Sequence, residues 1–520
     1  MYHADEQSPI RSNSLFILSN NVAIVTRSIF CLLGIGLLVP WNAFVSAAPY
    51  FSMRTCRDDA ELWFGFVYNL SSVASLACRI LGGHGGTAAD STMHSSSTSR
   101  ISRHVYASQY HPTSVYYYMV MIPLSIYLAV FVLTTTLIFI PMSHTLFFII
   151  TLLSLATCGA MGAIASAGLV ATASSPSSNN NDDNNNNHNN IGPLFAGQAV
   201  GGVVVSVANF LSAMGETPEW NVICPEEEEM LQNVLTETAV VSDSCVPNQG
   251  NVDWAVVSYF GMSCLLLVAC LIGFQWLYSS SRQRYERLAD VNDAAASLSS
   301  IDSTPRFETE LALELDVNED VDDAEDSISA YTVWTKIRQP AFAIFLTFVV
   351  TLAIFPAWTS TLQSAHRCDS RNRLQNDLFT PLTFLLFNVF DLVGRLLAER
   401  YSSYLTNDKL IPYALSRCIF FLLFAMLPSS ARISTDATTA TTSTTPIPSD
   451  LLSFAVQAAT AASNGFLLSW SFLVAPECIS KQCGDEAIKS SEVLNLSLSL
   501  GLLAGSMLSF VYQLVVVAIV

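Results

Sequence analysis

The sequence predicts an all-α polytopic membrane protein with about 11 transmembrane helices in two bundles, six before a long connection and five after it. Three observations lead there. Only 12% of the 520 residues are charged and 51% are hydrophobic; a soluble protein carries about 25% charged residues, so lipid is the expected solvent. Apolar runs near the roughly 20 residues that a bilayer-crossing helix needs recur along the whole chain. One long polar connection, 279–338, then divides those runs. Helices are expected throughout because open strands cannot satisfy their backbone groups in lipid.

The first run, 28–48, holds Pro40, which removes a backbone hydrogen bond mid-span and bends the helix. Runs at 62–81, 116–140 and 145–171 follow. The fifth, 193–214, carries Gly197-Gln198 and Gly201-Gly202, small residues that let helices approach around one amide. The sixth is 253–277. Beyond the connection lie 341–362, with a kink at Phe355-Pro356, then 379–398 and 410–428. The last two, 450–475 with Ser463-Asn464-Gly465 and 491–517 with Gly501 and Gly505, suit close packing. Stretches 82–114, 174–190 and 434–449 are polar without apolar period and read as disordered insertions. The organisation is a cytoplasmic tail (1–27), an N-terminal six-helix bundle (28–278), an acidic cytoplasmic linker (279–338) and a C-terminal five-helix bundle (339–520).

The net charge of −19 is local: 14 of the 42 acids lie between Glu286 and Asp326 and eight between Glu216 and Asp243. Acidic loops argue against nucleic acid as a partner. Met1–Asn20 is polar and offers no cleavable signal peptide, so the first run is expected to stay as an anchor. No C-x-x-C pair, His/Cys cluster, phosphate loop or nucleophile motif is present, so neither metal, cofactor nor enzyme is expected. Both sequons, Asn69-Leu-Ser71 and Asn495-Leu-Ser497, fall within spans, where glycosylation is not expected. Placing the N-terminus in the cytoplasm leaves only Arg54, Arg57, Arg367, Arg371, Arg373 and Arg432 of the 23 Lys and Arg outside. Cys224 and Cys245 then share an outer loop, where they would be free to form a disulfide.

Polar exceptions within spans carry the functional information. Asp391 and Arg395 are four apart on the eighth run, hence one turn apart on one helix face, and Asn388 and Phe384 continue the stripe. A lone charge at mid-membrane costs at least ~2.5–3.5 kcal/mol on insertion scales, so the two are expected to pair. Two readings follow: a structural pair pinning this helix to its neighbours, or a cavity-facing pair that meets a polar solute. On the first run, Pro40 is followed by Trp41 and Asn42, a stacking face and an amide that packing alone does not require.

Residues 34–51 (Gly34-x-Gly36-x-Leu38-x-Pro40-Trp41-Asn42-x-Phe44, ending in Tyr50-Phe51) and Phe387-Asn388-x-Phe390-Asp391-x-x-Gly394-Arg395 resemble two motifs of the equilibrative nucleoside transporter family. Weaker matches agree in order: Gly197-Gln198, Phe355-Pro356, Arg417, Ser463-Asn464-Gly465, Gly501 and Gly505. The resemblance implies a major-facilitator-like, alternating-access carrier of nucleosides or nucleobases. Trp41 and Phe44 would flank sugar and base, and Gln198 would lie near the cavity. Phe355, Phe384, Asn388, Asp391 and Arg395 would line the C-terminal half, the charged pair toward the ribose. Pro40, Asn42, Pro356, Gly501 and Gly505 would serve helix bending and packing. One departure stands out: no Gln lies in 145–171, where the family places a base-recognising amide, so base selectivity does not carry over.

A major-facilitator carrier of another polar solute is the alternative, but Arg79-Ile-Leu-Gly-Gly-His lacks the acid and Arg cluster of such carriers' loop between spans 2 and 3. A non-transporting receptor or scaffold would use the acidic loop and leave the cavity motifs unexplained. Asp391 is the one convincing mid-span acid and has a cationic neighbour, which favours passive carriage over proton coupling. Asp5-Glu-Gln-Ser-Pro-Ile10 has Pro where an acidic dileucine signal needs Leu, and the plasma membrane is favoured over an endomembrane.

Overall fold

The computed structural model describes residues 9–55, 57, 60–82, 113–174, 190–215, 218, 254–301, 330–360, 362–368, 371–401, 404, 406–427, 450–479 and 484–519. The expected insertions, the Cys224/Cys245 loop and the acidic part of the linker fall largely outside them. Helices follow one another along the chain: α1 (Pro9–Ser46), α2 (Ala48–Thr55), α3 (Ala60–Gly82), α4 (Thr113–Ile138), α5 (His144–Ser174), α6 (Ile191–Gly215) and α7 (Trp254–Ile301). After the linker come α8 (Ala330–Ile354), α9 (Ala357–Ser360), α10 (Phe379–Arg400), α11 (Leu410–Ser416), α12 (Ile419–Ala425), α13 (Asp450–Val474) and α14 (Gly484–Ile519). Among the described residues, ten helices are long and apolar enough to cross a membrane. The protein is an all-helical, multi-pass membrane protein.

Three boundaries differ from the sequence expectation. The ninth run, 410–428, is not one unbroken helix but α11 and α12, joined at Arg417-Cys418 by bonds of i to i+3 spacing such as Cys418 N–H to Leu415 O (3.0 Å) and Phe420 N–H to Arg417 O (3.0 Å). The tighter turn lets Arg417 reach inward. At the linker, α7 continues through Arg282 and Arg287 to Ile301 and α8 begins at Ala330, so both ends of the 279–338 connection are helical. Residues 285–299 are rich in Ala, Leu and charged residues, which form helix as readily in water as in lipid. In α1 the helix runs through Pro40 without interruption, whereas Phe355-Pro356 does separate α8 from α9.

In the N-terminal part α1 packs on α6 and α7, and α5 on α3 and α4; in the C-terminal part α8 packs on α14 and α13, and α10 on α13. Two seams join the parts: α6 against α10, and α3 and α5 against α14. Lipid offers no hydrophobic drive between helices, so close backbone approach has to supply the packing. A methyl on Gly34 of α1 would strike the Leu194 carbonyl of α6, and one on Gly197 of α6 would strike the Cys31 carbonyl of α1. Gly394 of α10 and Gly465 of α13 are reciprocal in the same way. Gly501 and Gly505 of α14 lie against Phe345, Phe348 and Leu352 of α8.

Ion pairs and a clamp mark the ends of the seams. Arg27 meets Glu399 at 2.7 Å, and Arg79 gives two bonds to Glu492 at 2.8 and 2.9 Å. Both pairs tie an N-terminal helix to a C-terminal one at the same end of the bundle. At the opposite end Arg373, just before α10, donates to Ala213 O (2.7 Å) and Met214 O (2.8 Å) on the last turn of α6.

Candidate functional site

The charged stripe of α10 lies on the seam with α6. Asp391 and Arg395 are 6% and 8% exposed, and the Nε of Arg395 donates to Asp391 Oδ2 at 2.8 Å. Arg395 Nη1 crosses to α6, donating to Phe195 O and to Gln198 Oε1, each at 3.1 Å. The other carboxylate oxygen, Oδ1, accepts from Asn464 Nδ2 of α13 at 2.7 Å. Asn464 Oδ1 in turn accepts from Thr351 of α8 at 2.7 Å. One chain of hydrogen bonds therefore runs through α6, α10, α13 and α8, satisfying the polar atoms that burial would otherwise make costly. Asn388 donates to its own helix at Phe384 O (3.0 Å), and its Oδ1 lies against Gly202 of α6.

Capacity remains in this arrangement. A guanidinium has five N–H donors and a carboxylate about four acceptor positions. Nη2 of Arg395 donates to nothing among the described residues, and each Asp391 oxygen accepts one bond. A polar solute at this point would find two donors and two acceptor positions still open.

Beside the stripe stand three rings: Phe355 is stacked on Phe387 at 3.9 Å and tilted against Phe384 at 4.9 Å. Trp41 is half-buried on α1 and meets Tyr68 of α3, ring centroids 5.2 Å apart. Phe44 does not share that position. It is 0% exposed and packed against Phe51, Phe64, Phe131 and Phe260. Phe44 is thus packed into the core of the N-terminal part, although it lies on the same side of α1 as Trp41, three positions away.

Several partners had weak sequence signals. Phe195 contributes a main-chain carbonyl, for which no residue type is diagnostic. Asn464 reads as one of three small residues in a packing motif. Arg417 matched the resemblance but had no assigned contact; it is 2% exposed and donates to Thr347 O (2.7 Å), Thr460 O (3.1 Å) and Ser463 Oγ (3.1 Å). It holds α12's start against α8 and α13, one layer behind Asp391. Among the described residues no cluster of His, Cys, Asp and Glu could hold a metal ion.

A family model described as nucleoside transporter matches residues 234–514, more than half of the chain. The chain belongs to the nucleoside transporter family. This nucleoside transporter is 24% identical to equilibrative nucleoside transporter 2 of Homo sapiens, over 93% of this chain and 96% of that protein. Identity with equilibrative nucleoside transporter 1 of Homo sapiens is 23%, over 94% and 96%. Among solved structures, a D-xylose-proton symporter aligns over 94% of this chain and 89% of its own at a TM-score of 0.45 and 12% identity.

Proposed function

We propose that this nucleoside transporter carries nucleosides or nucleobases across the plasma membrane by facilitated diffusion, with a site between α1, α6 and α10 opened alternately to each side. The observation that carries this reading is the Asp391–Arg395 pair: buried, on the seam between the two parts, and bonded across it to Gln198 and Phe195 O. Ribose hydroxyls both donate and accept, and charge-assisted bonds from such a pair are about twice as strong as neutral ones. Trp41, Phe355 and Phe384 would contribute flat apolar walls.

Cells expressing the chain are expected to take up labelled uridine and adenosine down their gradients, saturably. No uptake of any nucleoside or base, despite surface expression, overturns the reading. The rate is expected to be the same in mildly acidic and neutral medium, because among the described residues no acid besides Asp391 stands in the network; steep stimulation by acid would show proton coupling instead.

The N-terminus is proposed to lie in the cytoplasm. Cys368, disulfide-bonded, then falls on the outer, oxidising face, as such chemistry requires. The Arg27–Glu399 and Arg79–Glu492 pairs fall on the inner face, closing the seam there. Arg79→Glu is expected to lower maximal uptake several-fold by like-charge repulsion, and Glu492→Arg in the same molecule to restore most of it. Unrepaired uptake in the double variant would show that the pair is not a closing contact.

A further inference from the structure

We propose that Tyr68 reads the base of the solute, its phenol oxygen accepting a hydrogen bond from a base N–H while Trp41 forms the adjoining flat wall. The inference rests on the nucleoside-carrier reading and goes beyond it by naming the recognising atom.

Trp41 and Tyr68 are both half-buried and face each other from α1 and α3, two helices of the N-terminal part. The indole lies over Gly65, where an added Cβ would meet it at 3.6 Å, so no side chain separates it from α3. One turn further along α3 the phenol of Tyr68 converges with that of Tyr127 on Gly162 of α5. A Cβ at Gly162 would collide with the Tyr127 hydroxyl and lie 3.1 Å from that of Tyr68. Two hydroxyls gathered at a bare backbone are not what an apolar packing core needs, since each costs desolvation that Phe would avoid.

Proton accounting fixes the roles. Tyr127 is fully buried, and its one proton goes to the Cys158 carbonyl at 3.0 Å. The Tyr68 hydroxyl stands at the same glycine as that of Tyr127; with the Tyr127 proton already on the Cys158 carbonyl, any bond within the pair runs from Tyr68 to Tyr127. A phenol oxygen has two acceptor positions, and those of Tyr68 remain open. Backed by Tyr127, it is a fixed acceptor beside a stacking wall. Uracil, cytosine, adenine, guanine and hypoxanthine all present an N–H to such an acceptor; uracil methylated at its imide nitrogen does not.

The test is competition in cells expressing the full chain: unlabelled uridine or 3-methyluridine, whose imide N–H is replaced by a methyl group, against labelled adenosine. The wild type is expected to prefer uridine by about two- to tenfold, the worth of one neutral hydrogen bond. Tyr68→Phe is expected to bring the two within twofold while still carrying adenosine. Half-inhibition concentrations do not depend on how much protein reaches the surface, and Gly162→Ala, which displaces both hydroxyls, provides a second variant with the same expected flattening. A wild type indifferent to the methyl group, or variants that keep the preference, overturns the proposal; the methyl would then be rejected by size alone. Failure of the wild type to carry any nucleoside is a different result and overturns the carrier reading itself.

Discussion

Asp391→Asn is expected to lower the efficiency of nucleoside uptake by roughly 10–100-fold, for purine and pyrimidine nucleosides alike, with surface amounts still comparable to wild type. Asparagine keeps the size of the side chain, and its oxygen still accepts from Asn464. Its amide, however, presents a donor to the Nε of Arg395, which now bonds to Asp391 Oδ2 at 2.8 Å. Charge-assisted bonds contribute about 1.5–3 kcal/mol each, and each ~1.4 kcal/mol is tenfold. Arg395 retains Phe195 O and Gln198, so the fold keeps its cross-seam contact while the solute loses its acceptor. Surface biotinylation alongside uptake separates the outcomes. A loss of surface protein in proportion to the loss of uptake would make the pair a structural pin.

Arg417→Leu is expected to give the opposite signature: a large loss of folded, surface-delivered protein with the remaining molecules transporting nearly normally. Its guanidinium is buried and spreads over Thr347 O, Thr460 O and Ser463 Oγ. Leucine leaves those acceptors short of a donor, at about 1–3 kcal/mol for each buried unsatisfied group. It also removes what draws the break between α11 and α12 inward. A melting curve of detergent-solubilised protein reads this directly, and Arg417→Lys, which restores one donor group but not the fork, is expected to fall between. Normal stability with abolished uptake would instead place Arg417 among the residues that serve the solute.

Most of the architecture was legible in the sequence because lipid imposes a simple demand: a run long enough and apolar enough. That demand is also why two features of the helices went unseen. A hydropathy reading cannot see a helix made of polar residues, as at the end of α7, nor a break within an apolar run, as between α11 and α12. The charged stripe was legible because i, i+4 spacing fixes a helix face, and because charges in a span need partners. What they bond to was hidden wherever the partner is a main-chain carbonyl, as at Phe195, or an amide in a small-residue motif, as at Asn464. Phe44 shows a further limit: spacing puts it on the same side of α1 as Trp41, but does not say that four other rings close over it.

The bond from Arg395 to Phe195 O and Gln198 has a kinetic consequence. If the proposed site is right, these α6 groups occupy, in the unloaded protein, donors that a sugar would otherwise engage, acting as an internal stand-in for the passenger. A carrier so furnished need not wait for return cargo before reorienting, since its emptied site is not left with bare charge. Net flux into solute-free medium is therefore expected to run nearly as fast as exchange of one labelled molecule for another, and removing the stand-in amide of Gln198 is expected to slow the empty return more than the loaded crossing.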